Sequence, residues 1–273
     1  MAQALPHRPI KPDIGARLLA DRDALLSGRH ATEIRDLLEH CGVLVMPEIG
    51  FSDDELIAFT RTLGEYAPDR PDGGVTEISI DPAAGTSAEW TRASFFWHFD
   101  GYMNPMPIRA SIMAARVLSD SGGETEFANC YAAWDALPEG RNAQIEGLSA
   151  VHTMAGAQRA VEPEPSHARL TEWLKVPSRT LPLVWRHRSG RRSLVIGNTA
   201  LGVVGMNPLE SMELLVWLRD WATQERFTYR HSWSAGDCVI WDNTGTLHRA
   251  TPYPADSGRL MVRTKLAGEE PLG

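Results

Sequence analysis

The stretch Phe95-Phe96-Trp97-His98-Phe99-Asp100-Gly101 decides how this chain is read. It is apolar and aromatic, as a buried strand is, and its two polar interruptions, His98 and Asp100, are spaced two apart. Side chains at i and i+2 of a strand point to the same face, so an imidazole and a carboxylate converge on one point. Both are metal-ligand types, but two ligands do not fix an ion. The third is expected at His248, far along the chain in Trp241-Asp242-Asn243-Thr244-Gly245-Thr246-Leu247-His248. Two imidazoles and one carboxylate form a facial triad that leaves positions open on an octahedral metal. The plainer reading of a single His-x-Asp pair is a hydrogen-bonded core histidine beside a chance carboxylate.

Two arginines favour the metal reading. Arg259 and Arg263 lie in Arg259-Leu260-Met261-Val262-Arg263, a strand-like run in which they share a face. Buried guanidiniums are costly unless an anion pairs with them, so two aimed into a cavity imply two carboxylate-like partners. For Arg263, an exposed position at a sheet edge is the competing expectation.

Working outward, the chain alternates short strands with a few helices. Ile14–Leu26 holds a short helical piece within a proline-punctuated arm, residues 1–30. Thr32–Cys41 repeats apolar residues at helical spacing and Gly42 stops it. Val43–Met46 is a buried strand, and Ser52-Asp53-Asp54-Glu55 is a capping box that opens a helix through Leu63. Strands are expected at Thr76–Ile80, from Phe95, over Ile108–Leu118 and after Gly122-Gly123. Ala132–Leu137 and Arg141–Leu148 look helical. About 150–180, and most clearly Ala155–Ser178, is polar with weak periodicity, an irregular insertion of the kind that forms active-site lids. Strands return at Leu181–Arg186 and Ser193–Ile196 around a turn at Ser189-Gly190-Arg191. Asn207-Pro208 starts a helix to about Thr223, and Phe227–Trp233, Asp237–Asp242 and Leu260–Lys265 close the chain as strands. The fold class is mainly β with flanking helices, with no βαβ rhythm. No repeat or linker interrupts the 273 residues, so a single domain over 1–273 is expected.

Composition narrows the partners. The chain is 43% hydrophobic, and its formal net charge of −8 argues against nucleic acid. Cys41, Cys130 and Cys238 form no CxxC pair, which suits a reducing cytoplasm. Met1–Ile14 has no signal-peptide core, and no run approaches the roughly 20 apolar residues of a membrane span. The expectation is a cytoplasmic protein with no membrane partner.

The order of motifs resembles one family. Trp97-His98-Phe99-Asp100, Gly122-Gly123-Glu124-Thr125, Gly236-Asp237 through His248, and Arg259 to Arg263 are similar to the Fe(II)/2-oxoglutarate dioxygenases of the TauD/TfdA family. Arg186–Leu194 and Tyr229–Trp233 extend the resemblance, which covers roughly residues 35–268. It implies a double-stranded β-helix (jelly-roll) core with Fe(II) held by His98, Asp100 and His248. It implies 2-oxoglutarate and O2 as cosubstrates, with Thr125 and Arg259 on the distal carboxylate of 2-oxoglutarate. Arg263 matches the arginine that holds a substrate's anionic group. The implied reaction is oxidative decarboxylation of 2-oxoglutarate to succinate and CO2, coupled to hydroxylation or oxidative cleavage of a small substrate. A homo-oligomer, dimer or tetramer, is also implied.

The chain departs from the taurine-acting branch. Ser94 stands where that branch has an asparagine near its substrate, and Ala67-Pro68-Asp69-Arg70-Pro71 lacks the histidine that helps bind sulfonate. Thr244 stands where an arginine is usual. Arg70, Ser94 and Phe99 are therefore candidate substrate contacts beside Arg263, and Phe95, Phe96, Phe99, Tyr102 and Met103 suggest an apolar or aromatic substrate body. His248-Arg249-Ala250-Thr251-Pro252-Tyr253 looks closer to the branch acting on aryloxyalkanoates. A zinc hydrolase using the same triad, a non-catalytic small-molecule binder on the same barrel, and a hydroxylase of protein residues are the alternatives.

Overall fold

Apolar runs buried on both faces build the centre of the molecule, which a computed structural model describes for residues 4–81 and 88–272. In chain order come β1 (His7–Pro9), β2 (Ala16–Leu18), α1 (Arg22–Leu26), α2 (Ala31–Cys41), β3 (Val43–Met46) and α3 (Asp53–Leu63). β4 (Thr76–Ile78), α4 (Ala88–Thr91) and a 3-10 turn (Arg92–Phe95) lead to β5 (Ala110–Val117) and β6 (Thr125–Asn129). α5 (Cys130–Asp135), α6 (Arg141–Ile145), β7 (Ser149–His152), α7 (Met154–Val161) and α8 (His167–Trp173) follow. Then come β8 (Arg179–Pro182), β9 (Val184–Arg186), β10 (Arg192–Leu194), β11 (Ala200–Val203) and α9 (Pro208–Ala222). β12 (Thr228–His231), β13 (Cys238–Asp242), β14 (Thr246–Ala250) and β15 (Leu260–Leu266) close the chain.

The larger sheet runs β1-β2-β3-β13-β5-β15-β4, and a three-stranded sheet, β12-β6-β14, faces it. Among the described residues only β2 and β3 pair in parallel; the other pairs are antiparallel. The alternation of strand side chains divides the core between two faces. Val43, Val45, Val239 and Trp241 point inward and pack on Phe127 of the facing sheet. Leu44, Met46, Ile112, Ala114 and Ile240 point outward and are covered by Ile34 and Leu38 of α2 and by Leu56, Phe59 and Leu63 of α3. Beyond the smaller sheet, Ala128 and Leu247 pack with β9, β10, α5 and α9 around Trp134, Trp185, Leu194 and Leu218. Two facing sheets, antiparallel apart from the β2–β3 pair, with helices outside make the mainly β, jelly-roll architecture expected from the sequence.

Local chemistry explains the helix ends. Ser52 and Glu55 form a reciprocal capping box, Asn207 caps α9 ahead of Pro208, and Gly42 ends α2 at φ 77°. Three local expectations need correction. Phe95–Gly101 is not a strand: Phe95 closes a 3-10 turn, and only His98 makes an isolated bridge, to His248. The Ile14–Leu26 piece is helical only from Arg22, where Asp21 caps it; Ala16–Leu18 alternates buried and exposed residues and joins the sheet beside β3. The supposed irregular insertion carries α7 and α8, whose starts are capped by Thr153 and Ser166. Among the described residues no helix is long and apolar enough to cross a membrane.

The turn between β13 and β14 is fixed by Gly245, since a Cβ there would lie 1.8 Å from the Tyr131 ring. Gly245→Ala is expected to destabilise the protein by about 3 kcal/mol through overpacking, against about 1 kcal/mol for Ser52→Ala at the α3 cap, read as midpoints of urea unfolding. Equal losses for both would contradict the close approach at Gly245.

Candidate active site

The site begins with backbone pairing. The His98 amide donates to the His248 carbonyl (3.1 Å) and the His248 amide to the His98 carbonyl (2.8 Å). This pairing welds the loop after the 3-10 turn onto β14 and puts the two imidazole rings 4.1 Å apart. Asp100, two residues on, is held by Asn243: its amide donates to Asn243 Oδ1 (2.8 Å), and Asn243 Nδ2 donates to the Asp100 carbonyl (2.9 Å). Gly197 lets the loop lie close, because a Cβ there would meet the Trp97 carbonyl oxygen at 3.0 Å and His98 Cα at 3.2 Å.

His98, Asp100 and His248 therefore converge as the sequence anticipates, with one donor atom from each inside a 4.8 Å span. His98 Nε2 stands 3.7 Å from Asp100 Oδ1, and His248 Nε2 stands 3.8 Å from Asp100 Oδ2. These separations are too long for hydrogen bonds, yet short enough for the three groups to share an ion. His98 Nδ1 lies 2.8 Å from the Phe96 carbonyl and must be the protonated nitrogen to bond it, which leaves the Nε2 lone pair for a metal. His248 Nδ1 has no such partner; its ring is placed by packing between His98 and the Trp241 indole, 4.8 Å away. Burial, then the adjacent His98, holds the His248 pKa well below the usual histidine range, which keeps the ring neutral as a ligand must be. Burial alone would raise the Asp100 pKa, but Arg263, His248 and His98 outweigh it and hold the carboxyl well below the usual carboxylate range. The donor set thus fits a divalent cation.

A cavity of about 430 Å³ opens over these groups between the two sheets. Thr125 of β6, His248 and Ala250 of β14, Met113 of β5 and Arg263 of β15 line it, with Arg259 just before β15. Arg259 is 4% exposed, donates from Nη2 to the Gly123 carbonyl (2.8 Å) and lies over the Tyr253 ring. It pairs with no carboxylate among the described residues, and burial lowers its pKa. Gly123, at φ 80°, is needed for its passage, because a Cβ would come within 2.7 Å of Arg259 Nε. Gly122 is equally constrained, its Cβ position lying 2.0 Å from the Pro252 carbonyl oxygen. Thr125 Oγ1 accepts from Trp233 Nε1 (3.0 Å), so its own proton is free to donate elsewhere.

Arg263 donates from Nη1 to Asp100 Oδ2 (2.9 Å) and lies 3.5 Å from Asp69, while its Nε is buried without a partner. It is inward on its sheet, not at an exposed edge. Ser94, Phe99, Tyr102 and Met103 also line the cavity. Phe95 and Phe96 do not; Phe96 instead lines a separate groove beside α9. Arg70 is not brought to the site. It is outside the cavity lining, where Asp72, two residues on, takes its guanidinium in a bidentate pair at the surface. His187 and His231 take structural partners, Glu270 with Ser193 and Asp237 with Tyr229. Sequence reading missed the clamp by Asn243, although that residue sits inside the quoted Trp-Asp-Asn motif. The segment expected to be an irregular lid carries α7 instead, and Met154, Ala157 and Gln158 of that helix line the cavity.

Comparison with known proteins agrees with this geometry. The family model described as taurine catabolism dioxygenase TauD, TfdA family matches residues 6–265. An (S)-phenoxypropionate/alpha-ketoglutarate-dioxygenase of Sphingobium herbicidovorans is 31% identical, over 98% of this chain and 97% of its own. An alpha-ketoglutarate-dependent 2,4-dichlorophenoxyacetate dioxygenase of Cupriavidus pinatubonensis is 33% identical, over 87% and 88%. The crystal structure of AAD-2 in complex with Mn(II) and N-oxalylglycine superposes with a TM-score of 0.88 at 26% identity, covering 99% of this chain and 100% of that one.

The Asn243 side chain makes three hydrogen bonds, to the Asp100 amide, the Asp100 carbonyl and the Ile108 carbonyl. Asn243→Ala is expected to weaken divalent-metal binding by about 10- to 100-fold while leaving all three ligands in the chain. Titration with Co(II), followed by its visible spectrum, measures this; unchanged affinity would remove Asn243 from any positioning role.

Proposed function

The chain belongs to the TauD/TfdA family of dioxygenases, and from that membership we propose that it oxidises a small organic acid with an apolar or aromatic body, with each cavity residue in a defined role. It is an Fe(II)- and 2-oxoglutarate-dependent enzyme, and the products of the cosubstrate are succinate and CO2. The observation that carries the reading is Arg259: a buried guanidinium lining the same cavity as the triad, with no carboxylate partner among the described residues, calls for an anion from outside.

In this reading His98, Asp100 and His248 hold Fe(II), which when bound supplies the activation of O2. Arg259 takes the distal carboxylate of 2-oxoglutarate in a charge-assisted pair, and the free proton of Thr125 adds a second donor. Arg263 takes the substrate's anionic group; its partnerless Nε is the available donor, while Asp69 and Asp100 keep the guanidinium oriented. Phe99, Met103 and Met113 pack the substrate body, and Ser94 borders it. Relatives that act on phenoxypropionate and 2,4-dichlorophenoxyacetate support an aryloxyalkanoate-like substrate. A zinc hydrolase has no use for the anion site at Arg259, which sets that alternative aside.

We also propose a cytoplasmic homo-oligomer, dimer or tetramer. Leu201, Leu209 and Met212 are each more than half exposed along β11 and α9, a concentration of apolar surface that a second copy would cover. Sedimentation at micromolar concentration is expected to give a dimer or tetramer that Met212→Lys weakens. A monomer throughout would overturn this.

Anaerobic addition of Fe(II) and 2-oxoglutarate is expected to give the weak visible charge-transfer band of an iron–keto-acid chelate. Asp100→Ala should abolish it, and Arg259→Ala should raise the 2-oxoglutarate needed for half-formation by about a hundredfold. Aerobic succinate release should then rise with (S)-2-phenoxypropanoate or a related acid. No band, together with tight zinc retention, would overturn the oxygenase reading.

A further inference from the structure

One part of the cavity wall comes from neither β15 nor the strands that hold the triad. Tyr102 follows Asp100 by two residues, Asn198 and Thr199 precede β11, and Gln158 lies on α7; all four line the cavity. Behind them His152 ends β7, fully buried, with Nδ1 2.8 Å from Thr199 Oγ1 and its ring against Phe99 and Tyr102 at 5.7 and 6.3 Å.

Two polar atoms here are buried without a hydrogen-bond partner, His152 Nε2 and Asn198 Oδ1, and Tyr102 Oη meets only the Met154 amide, which leaves its proton without an acceptor. Tyr102 is 2% exposed and His152 0%. Asn198 is held in place from its other end, Nδ2 donating to the Ala93 carbonyl (2.9 Å), so its oxygen does not simply rotate to a new partner. Leaving one such group unmade costs about as much as a hydrogen bond is worth, and the Tyr102 proton and the Asn198 oxygen, on two residues of one wall with His152 behind them, ask for a partner.

We propose that Tyr102, Asn198 and the His152–Thr199 pair form a neutral polar subsite that recognises a hydroxyl group carried on the body of the substrate. The inference rests on the oxygenase reading above and specifies its substrate further: an acid bearing a hydroxyl remote from its anionic end. Tyr102 offers a proton and Asn198 an acceptor, and a hydroxyl both accepts and donates. The charge balance excludes a second anion or a cation. Among the described residues no Lys, Arg, Asp or Glu stands in this part of the wall, and burial pushes the His152 pKa down to about 4, so the imidazole is neutral.

The test compares matched acids on the Fe(II)- and 2-oxoglutarate-loaded enzyme under anaerobic conditions, by calorimetric titration. The probes are phenylacetate, 3-phenylpropanoate and 4-phenylbutanoate, each with its para-hydroxy counterpart, so that chain length is scanned. At least one hydroxylated member is expected to bind about fivefold or more tightly than its parent. In Tyr102→Phe that ratio should fall toward one, whereas a structural role for the phenol would weaken both members together and leave the ratio intact. Equal binding across all three pairs, no binding of any hydroxylated member, or a ratio that persists in Tyr102→Phe overturns the subsite. The charge-transfer band separates the two levels. If it forms and the pairs bind alike, only the subsite fails; if it does not form, the oxygenase reading fails and the subsite with it.

Discussion

The pair of backbone hydrogen bonds between His98 and His248 is the constraint on which the site depends. Side-chain convergence alone would leave three flexible groups to be ordered by the ion, at an entropic cost for each rotamer fixed. Here the main chain does the ordering. β14 is locked to β6 over five residue pairs, His98 is locked to β14, and Asn243 then fixes the peptide two residues on. A site held by strand pairing moves only if the sheet moves, which is the precision that metal chemistry requires.

Charge is distributed over this frame unequally. Arg263 is already satisfied in part, by Asp100 and by Asp69, and Asp69 is in turn held by Thr76 and Lys265. Among the described residues Arg259 has a carbonyl and the Tyr253 side chain, both neutral. A buried cation with neutral partners has more to gain from an incoming carboxylate than one already shared between two, so the two arginines differ in what they recruit. The difference matches the two roles assigned: firm capture of the cosubstrate at Arg259 and exchangeable contact with substrate at Arg263.

Much of this was legible in the sequence, and the reasons are specific. The i, i+2 spacing of His98 and Asp100 predicts their common direction even though the segment is not a strand. Locally extended backbone around a single bridge suffices for that. Arg259 and Arg263 share their parity with Met261 on the inner face, as a strand reading requires, and the Gly-Gly pair before Thr125 is explained by the Pro252 carbonyl and the Arg259 side chain. What escaped was long-range. Ala16–Leu18 is a strand because β3 lies beside it, and three residues carry too little periodicity to announce this. α7 and α8 were hidden because small and polar residues dilute the helical period, although Thr153 and Ser166 stood as caps. Arg70 was misplaced because a local partner, Asp72, is a nearer claimant than a cavity.

The two kinds of recognition residue differ in how freely they can change. Thr125, His248 and Arg263 sit at the inward positions of strands whose neighbouring inward residues, Phe127 and Trp241 among them, fill the space between the sheets. Their register cannot slip by one residue without turning the whole inner face outward, so the cavity positions these strands carry, Arg263 among them, are tied to the stability of the core. Gln158 on α7 and Thr199 carry no such penalty, although Gly197 in the same loop must stay small to pass Trp97 and His98. α7 has eight residues, a cap at Thr153 and small buried side chains, Ala155 and Ala157, against its neighbours. A substitution at Gln158 or Thr199 alters what the cavity meets without disturbing either sheet. The triad is thus tied to the part of the fold that resists change, while Gln158 and Thr199 border the same cavity from a short helix and a loop.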